Sequence, residues 1–332
     1  QGFSKPIKIY KSKFTLCNTP IHLTSSIQSS LFNRYNYTND MVTIENTDYR
    51  LCFSITSNGG CIYLSNTKIT ITKCNFLQST ALSGGAIYSI DGKLRIHESN
   101  FIKNSAIEKG GALFLNKTII AMRKCQIALN EAGEECGAIY SKRCNFENFI
   151  QNNLNGNFAY KKYGGLFLDE CFGVVISCFF KNNKANESNI GSSLVIIDNT
   201  DQINIENSYF YDQSPYQIMI STSSVSIVCD CLMTASEENA IYILDRSSDT
   251  KFLIVNNFYN FQKMPEHPNV PLSLLYDIFI YNEKSPPIKW NLIIIFSSVI
   301  IIIFCALIEW VLPIIIWPNL KEKKGYTKQS NF

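Results

Sequence analysis

Residues 84–109 read GGAIYSIDGKLRIHESNFIKNSAIEK and hold every part of a unit that recurs along the chain. Within this unit a glycine pair precedes a short apolar run, and a Phe-x-x-Asn segment follows 17 residues after the first glycine. The glycine pair or a close variant returns every 25 to 28 residues. A fixed period of this length is typical of a solenoid rather than of one isolated site. The copies begin at Gly59, Gly84, Gly110, Cys136 and Gly164, with a weaker copy at Gly191.

One period contains three short segments of strand length, at residues 86–90, 93–98 and 99–104. Each segment is rich in β-branched or aromatic residues, none has a helical period, and turn residues such as Asp91 separate them. Three strands in about 26 residues match one coil of a right-handed parallel β-helix, in which successive coils pair about 4.8 Å apart. The sequence therefore predicts an all-β solenoid.

The recurring residues have mechanical roles in such a coil. The glycine pairs, Gly84 among them, predict a turn with positive φ or a close approach of two backbones. Ile87 and Leu113 occupy the same register and are expected to stack inside the coil. Asn104 and Asn130 are expected to hydrogen-bond to each other at a turn. A second internal ladder is predicted at Phe76, Phe101, Ile127 and Phe180.

Five aromatic residues follow the inward aliphatic residue of their coil by one position, so strand alternation turns them outward. They predict an aromatic column on one outer face, able to stack on sugars. Packing of the column against a terminal segment of the chain is an equally open alternative. We expect serine at Tyr88 and Tyr140 to leave folding intact and to weaken ligand binding. The column consists of Tyr63, Tyr88, Phe114, Tyr140 and Phe167.

The alternation of GGA[ILV] and FxxN motifs over roughly residues 50–260 resembles the repeats of chlamydial polymorphic outer membrane proteins. It is also similar to related repeat proteins on the surfaces of some protists. The resemblance implies a β-helical region displayed on a cell surface, with an adhesin role. This chain departs from the bacterial pattern in ending with a predicted α-helical anchor, which favours a eukaryotic plasma membrane.

The anchor is predicted at residues 291–317, where Leu292 to Ile308 carry no charge and are nearly long enough to cross a bilayer. Glu309 is expected at the inner interface or against a partner helix. The Lys-rich tail, residues 318–332, favours a cytoplasmic C-terminus and hence a type I single-pass protein in contact with lipid. The chain begins with Gln1, which fits either a removed signal peptide or a fragment start.

The remaining boundaries follow from the repeat. Residues 1–50 are interpreted as an N-terminal cap or first irregular coils, residues 51–262 as the β-helix, and residues 263–290 as a juxtamembrane linker. The chain has 30 Lys and Arg against 27 Asp and Glu, a formal net charge of +3. So balanced a composition lacks the basic surface that nucleic-acid binding needs, and we expect no nucleic-acid partner.

Most of the twelve cysteines do not suggest pairs. Cys305 lies in the predicted span, and a column of four recurs at every second coil, too far apart to bond to one another. Cys144 and Cys171 lie one coil apart and are the best disulfide candidate. Cys229-x-Cys231 lacks histidines at ligand spacing, so neither a metal nor another cofactor is expected. The column of four is Cys74, Cys125, Cys178 and Cys229, sharing its position with Ser99 and Ser208.

Two further expectations concern surface chemistry. A β-helix enzyme acting on carbohydrates, a polysaccharide lyase or a glycosidase, is the alternative function. Its candidate carboxylates are Asp169-Glu170, Asp198 with Asp201, and Glu134-Glu135, although ordinary turn chemistry also accounts for them. N-glycosylation sequons begin at Asn36, Asn116 and Asn186.

Together these features predict no catalytic residue. They favour an interaction protein, adhesin-like or glycan-binding, that faces a host or neighbouring cell surface.

Overall fold

The computed structural model describes residues 7–16, 21–24, 41–186, 193–198, 201–211, 216–221, 224–244 and 252–260. All of them belong to one compact unit, Gln1–Met264. The predicted linker, anchor and tail, together with Asn36 and Glu309, lie outside the described residues. Within the described ranges no helix combines the length and apolar character that a bilayer crossing requires.

The described chain is a parallel β-solenoid of about seven turns, which confirms the prediction of an all-β parallel solenoid. Each turn contributes one strand to each of several sheets, and every pairing between turns is parallel. Sheet 1 contains the strands that follow the glycine pairs. They are Ile21–Thr24, Ile62–Ser65, Ile87–Ile90, Leu113–Asn116, Ile139–Lys142, Leu166–Asp169, Leu194–Ile197, Ile218–Ser221 and Ile241–Leu244.

Sheets 2 and 3 contain the other two predicted strands of each turn. Sheet 2 consists of Lys8–Tyr10, Met41–Glu45, Lys68–Thr72, Lys93–His97, Ile119–Arg123, Asn145–Ile150, Phe172–Ile176, Ile203–Glu206, Ser226–Cys229 and Phe252–Val255. Sheet 3 consists of Lys13–Thr15, Asp48–Arg50, Asn75–Leu77, Asn100–Ile102, Gln126–Ala128, Asn153–Asn155, Phe179–Lys181, Tyr209–Tyr211 and Leu232–Met233.

The central turns also contain a fourth strand that the sequence analysis missed. These strands are two residues long, and each ends in alanine or serine rather than in a large apolar residue, so they carry no periodic signal. One short helix, Glu237–Ala240, is the only helix among the residues described. The fourth strands form sheet 4: Phe53–Ser54, Thr80–Ala81, Ser105–Ala106, Glu131–Ala132, Phe158–Ala159 and Lys184–Ala185.

The interior of the coil is filled by ladders of like residues. Phe76 and Phe101 are fully buried, and their parallel rings have centroids 4.7 Å apart. Tyr49 continues this stack on one side, and Ile127 and Leu154 continue the ladder on the other. Ile87 pairs with Leu113 and is equally buried. Both predicted internal ladders are therefore confirmed.

The corners of the coil follow a rule that the sequence analysis did not detect. At many corners a residue in the left-handed region precedes a buried Ser, Thr, Cys or Asn, as in Lys73-Cys74 and Glu98-Ser99. The small side chain accepts a hydrogen bond from the corner N–H of the preceding coil, so that the Cys74 N–H lies 3.1 Å from Ser99 Oγ. An inward corner N–H thereby obtains the partner that a buried backbone group requires.

The predicted hydrogen bond between Asn104 and Asn130 is confirmed, and the series continues along the same corner to two further asparagines. The side-chain amide of Asn104 donates to Asn130 Oδ1 at 3.0 Å, Asn130 donates to Asn157 at 2.9 Å, and Asn157 donates to Asn183 at 2.8 Å. All four residues are fully buried. Protein groups therefore supply hydrogen-bond acceptors for the side-chain NH2 groups of all four asparagines.

The predicted column of cysteines needs one correction. Cys74, Cys125 and Cys178 occupy the same corner and are free thiols, as expected. The residue that continues this corner beyond Ser208 is Cys231, because Tyr209 pairs with Leu232. Cys229 instead ends a sheet 2 strand, because the last full coil is shorter than the constant period assumed.

Candidate functional site

The five outer aromatic residues form a continuous column on sheet 1. Tyr88 pairs in register with Tyr63 and Phe114, and Tyr140 pairs with Phe114 and Phe167. The ring centroids of successive members lie 5.3, 4.7, 5.0 and 4.9 Å apart, with interplanar angles of 8°, 7°, 11° and 24°. The structure therefore brings all five predicted residues together in one stack.

The stacking changes what the column offers to a ligand. In offset-stacked rings at these separations, each ring covers part of the face of the next. Sugars stack on ring faces, which this arrangement occupies with neighbouring rings. The column therefore presents ring edges and tyrosine hydroxyls to its surroundings, and the expectation of an open platform for sugar stacking needs correction.

Burial divides the column into two halves. Tyr63, Tyr88 and Phe114 are half-buried, whereas Tyr140 is 8% exposed and Phe167 is 4% exposed. The covered half forms a hydrophobic cluster outside the coil, separate from the main core. Local side chains supply this cluster, so packing accounts for one half of the column and leaves the other half accessible. The members of this outer cluster are Cys136, Tyr140, Phe167, Val195 and Met219, with Phe114, Tyr163 and Ile197 packed against them.

A groove of about 290 Å³ runs from the accessible half of the column onto Tyr140, the first ring of the covered half. Its floor is formed by Tyr88, Phe114 and Tyr140. The turns before the glycine pairs line one side with Ser83, Glu108 and Lys109, and the strand ends line the other with Asn116 and Lys142. The sequence analysis missed these polar side chains. The sequence feature that could have indicated them is a charged residue immediately before the glycine position in successive coils, at Lys109, Glu135 and Lys162.

The cations of the groove have carboxylate partners in the next coil. Lys109 Nζ lies 2.7 Å from Glu135 and 4.9 Å from the centroid of the Tyr140 ring. Lys142 Nζ lies 2.5 Å from Asp169 Oδ2, and this hydrogen bond raises the pKa of Lys142. The groove therefore contains charged groups in near balance.

The tyrosine hydroxyls of the groove are neutral donors at physiological pH. Burial is the main cause that raises the pKa of Tyr140 to about 12, with a smaller contribution from Glu135. Burial also raises the pKa of Tyr88 above its ordinary value. Both hydroxyls therefore stay protonated and are able to donate a hydrogen bond to a ligand.

Asn116 lies at the edge of this groove and begins one of the predicted sequons. Its Oδ1 atom is buried and accepts no hydrogen bond from the described residues. The hydroxyl of Thr118, the third sequon residue, is buried at a corner and bonded to the Asn116 carbonyl at 3.0 Å. Asn186 is exposed, so its side chain is the better placed of these two in the folded chain.

Four of the six candidate carboxylates, Glu134, Glu135, Asp169 and Glu170, are held in ion pairs between adjacent coils. Glu170 contacts Arg143 at 2.8 Å, and Glu134 contacts Lys161 at 2.7 Å. Asp169 contacts Lys142, and its register partner is Ile197, so Asp198 lies one position beyond it. Asp201 is exposed. Within the described residues no group of three or more His, Cys, Asp or Glu side chains is arranged to hold a metal ion.

Cys144 and Cys171 occupy the same corner in adjacent coils, as expected, but no disulfide joins them in this structure. The Cys144 N–H donates to Cys171 Sγ at 3.4 Å. Each thiol is directed to the carbonyl two residues before it, Cys144 to Lys142 at 3.2 Å and Cys171 to Asp169 at 3.3 Å. The two side chains also interact with each other: burial first, and then the hydrogen bond with Cys144, raises the pKa of Cys171.

Comparison with protein-family models, with curated proteins and with solved structures finds no match to this chain.

Proposed function

We propose that this protein is a type I single-pass protein of the plasma membrane whose N-terminal right-handed β-helix binds ligands on a host or neighbouring cell surface. Its role is adhesin-like, and glycans are the favoured ligands. The observation that carries the proposal is the groove over Tyr88, Phe114 and Tyr140. It combines neutral hydroxyl donors, a buried acceptor and paired charges on a rigid wall.

The rigidity of this wall favours binding. The floor residues belong to adjacent strands of one sheet, and their rings are fixed by their neighbours at 4.7 and 5.0 Å. Groups fixed before the ligand arrives lose little conformational entropy on association. A groove of this kind is therefore suited to weakly hydrophobic, polar ligands that gain most from well-placed hydrogen bonds.

The membrane part of the proposal rests on the sequence. The charge-free segment from Leu292 to Ile308 and the Lys-rich residues that follow support an anchor at 291–317 with a cytoplasmic tail. Secretion to the cell surface is compatible with the free cysteines, because most of the described thiols are buried and thereby protected. Surface labelling of intact cells that express the full chain tests this topology directly.

The binding test uses the full chain on an array of glycans and on intact cells, with hydrolysis products measured in the same samples. We expect binding without turnover. Tyr88→Phe keeps the ring stack and removes one donor, so binding is expected to fall about two- to tenfold, the range of one hydrogen bond.

Arg95→Ser, on the outer face of sheet 2, is the matched control and is expected to leave binding unchanged. Absence of binding to every cell and glycan would contradict the proposed function. Release of cleaved sugar would replace it with the carbohydrate-active enzyme.

A further inference from the structure

The turns before five consecutive sheet 1 strands, from Ile62–Ser65 to Leu166–Asp169, each contain one residue in the left-handed region, and its identity changes along the solenoid. The φ angles of Gly59, Gly84 and Gly110 are 74°, 65° and 68°. Cys136 and Tyr163 hold the same place in the next two coils with φ angles of 66° and 63°. Backbone hydrogen bonds join these positions from coil to coil, so the five residues are equivalent in the fold.

A side chain at this position projects toward the aromatic column of the next coil. A Cβ built on Gly59 would lie 3.2 Å from the Cβ of Tyr88, and one built on Gly84 would lie 3.2 Å from the Cβ of Phe114. The three glycines therefore place no side-chain atom beside the first rings of the column, and a Cβ there would also meet a backbone carbonyl oxygen at 2.2 to 2.4 Å. Cys136 and Tyr163 fill the corresponding space farther along.

The side chains of Cys136 and Tyr163 pack in the covered half of the column. The Tyr163 ring stacks on Phe167 with centroids 4.8 Å apart, at the side where Val195, a smaller residue, follows in the column. Cys136 is fully buried, with its Sγ 3.2 Å from the Gly165 carbonyl oxygen. The floor of the groove spans three rings and stops at Tyr140, one ring before Phe167, which packs with Cys136 and Tyr163 in the outer cluster.

We propose that this groove is a closed-ended site for a short, uncharged oligosaccharide, and that Cys136 and Tyr163 set its length. This inference rests on the proposed function and specifies its ligand. Three rings span two coil spacings of about 4.8 Å each, which admits a short oligosaccharide and stops a long polymer at the Tyr163 end.

The charges and hydrogen-bonding groups of the groove favour an uncharged sugar. A polyanion would approach the Glu108 and Asp169 carboxylates, and the lysines that would attract it already have partners. An apolar ligand would leave Asn116 Oδ1 without a donor, which is costly for a buried acceptor. Sugar hydroxyls donate and accept, so they match both this oxygen and the phenol hydroxyls of Tyr88 and Tyr140.

The test measures the affinity of the full chain for cello-, manno- and chito-oligosaccharides of increasing length. For the wild-type chain we expect affinity to rise with length and to level off once the groove is filled. In Tyr163→Gly the terminating ring is removed, so the affinity should continue to rise for longer oligosaccharides. The expected gain for the longest ones is roughly three- to tenfold, as for one or two added hydrogen bonds.

Tyr160→Ala is the matched control, because Tyr160 lies in the same turn and packs against Phe158 rather than the column. It should leave the length dependence unchanged. Cys136→Gly is a second opening variant, which restores the residue of the earlier coils and keeps the inference testable if Tyr163→Gly does not fold.

Three results are decisive. An unchanged length dependence in a folded opening variant would overturn the assignment of Cys136 and Tyr163. Binding of the full chain to cells, without binding to any of these oligosaccharides, would overturn the ligand class and leave the proposed function standing. Failure to bind cells and the whole glycan array would overturn the proposed function itself.

Discussion

The inner and the outer aromatic stacks of this solenoid have almost the same geometry and different surroundings. Inside, the Phe76 and Phe101 rings lie 4.7 Å apart with an interplanar angle of 3°. Outside, Tyr88 and Phe114 lie 4.7 Å apart with an angle of 7°. The inner rings are fully buried, whereas the outer pair is half-buried.

This similarity shows that the coil spacing imposes the stacking. Parallel strands in register place equivalent side chains at the spacing between strands, about 4.8 Å, whether or not they face water. Stacking alone therefore does not distinguish a core residue from a surface residue. The distinction lies in what covers the rings, which is the interior of the coil on one side and the turn residues on the other.

The largest expected difference in stability between the two stacks is that between Phe101→Ala in the inner stack and Tyr63→Ala in the outer stack. The substitution leaves a cavity in the middle of the inner ladder, so we expect the free energy of unfolding to fall by about 3–5 kcal/mol. Urea unfolding followed by circular dichroism measures the change. Tyr63→Ala, at the accessible end of the outer column, is the control, and its free energy of unfolding should fall by less than about 1 kcal/mol. Equal losses would show that the two stacks stabilise the fold alike.

A smaller difference is expected within the outer column. Tyr140 is 8% exposed and belongs to the outer cluster, so Tyr140→Ala should cost about 2 kcal/mol. The same unfolding measurement, compared with Tyr63→Ala, checks this value. The structure thus revises the expectation that serine at Tyr140 leaves folding intact. A cost no larger than that of Tyr63→Ala would contradict the division of the column into two halves.

The smallest effect, for one thiol and over the first pH unit above 9, is a dependence of stability on pH that reports the burial of the corner thiols. Burial is the main cause that raises the pKa of Cys125 from 9.0 to about 12. Above pH 9 the unfolded chain loses this proton while the folded chain retains it. Stability is therefore fully present below pH 9 and falls as the pH rises toward 12, by roughly 1 kcal/mol per pH unit for each such thiol.

Urea unfolding at a series of alkaline pH values measures this slope. Cys125→Ser is the matched variant, because Ser99 already occupies the equivalent corner of the preceding coil. Its slope should be shallower than that of the wild-type chain by the contribution of one thiol. An unchanged slope would show that Cys125 ionises in the folded chain as readily as in the unfolded chain.

Large residues with a steady period made much of the fold predictable. The glycine pairs, Ile87, Phe101 and Asn104 each recur once per coil, and the structure places them as the period required. The fourth strand escaped detection because Ser105–Ala106 contains no large apolar residue. The corners escaped because their left-handed positions hold Lys73 or Glu98 where glycine would have been the expected signal.

The sequence predicted where the candidate site lies but not which chemical groups it presents. Strand alternation placed Tyr88 and Phe114 on the outer face. It did not indicate that their faces are covered by one another, nor that Lys109 and Lys142 have partners in the next coil. Those contacts join residues 26 or 27 positions apart, and they depend on the register of each turn.

The sequence by itself determined that this chain winds into parallel coils, because only a repeated pattern of glycine, aliphatic and aromatic residues buries the same face in every turn. The tertiary structure decided which copies of that pattern have equivalent surroundings. Cys136 and Tyr163 occupy a glycine position and add side chains that pack against Phe167, the ring beyond the end of the groove, Tyr163 from the same coil and Cys136 from the coil before. The physical reason is that such contacts depend on which coil each side chain reaches, and the repeat alone does not state this.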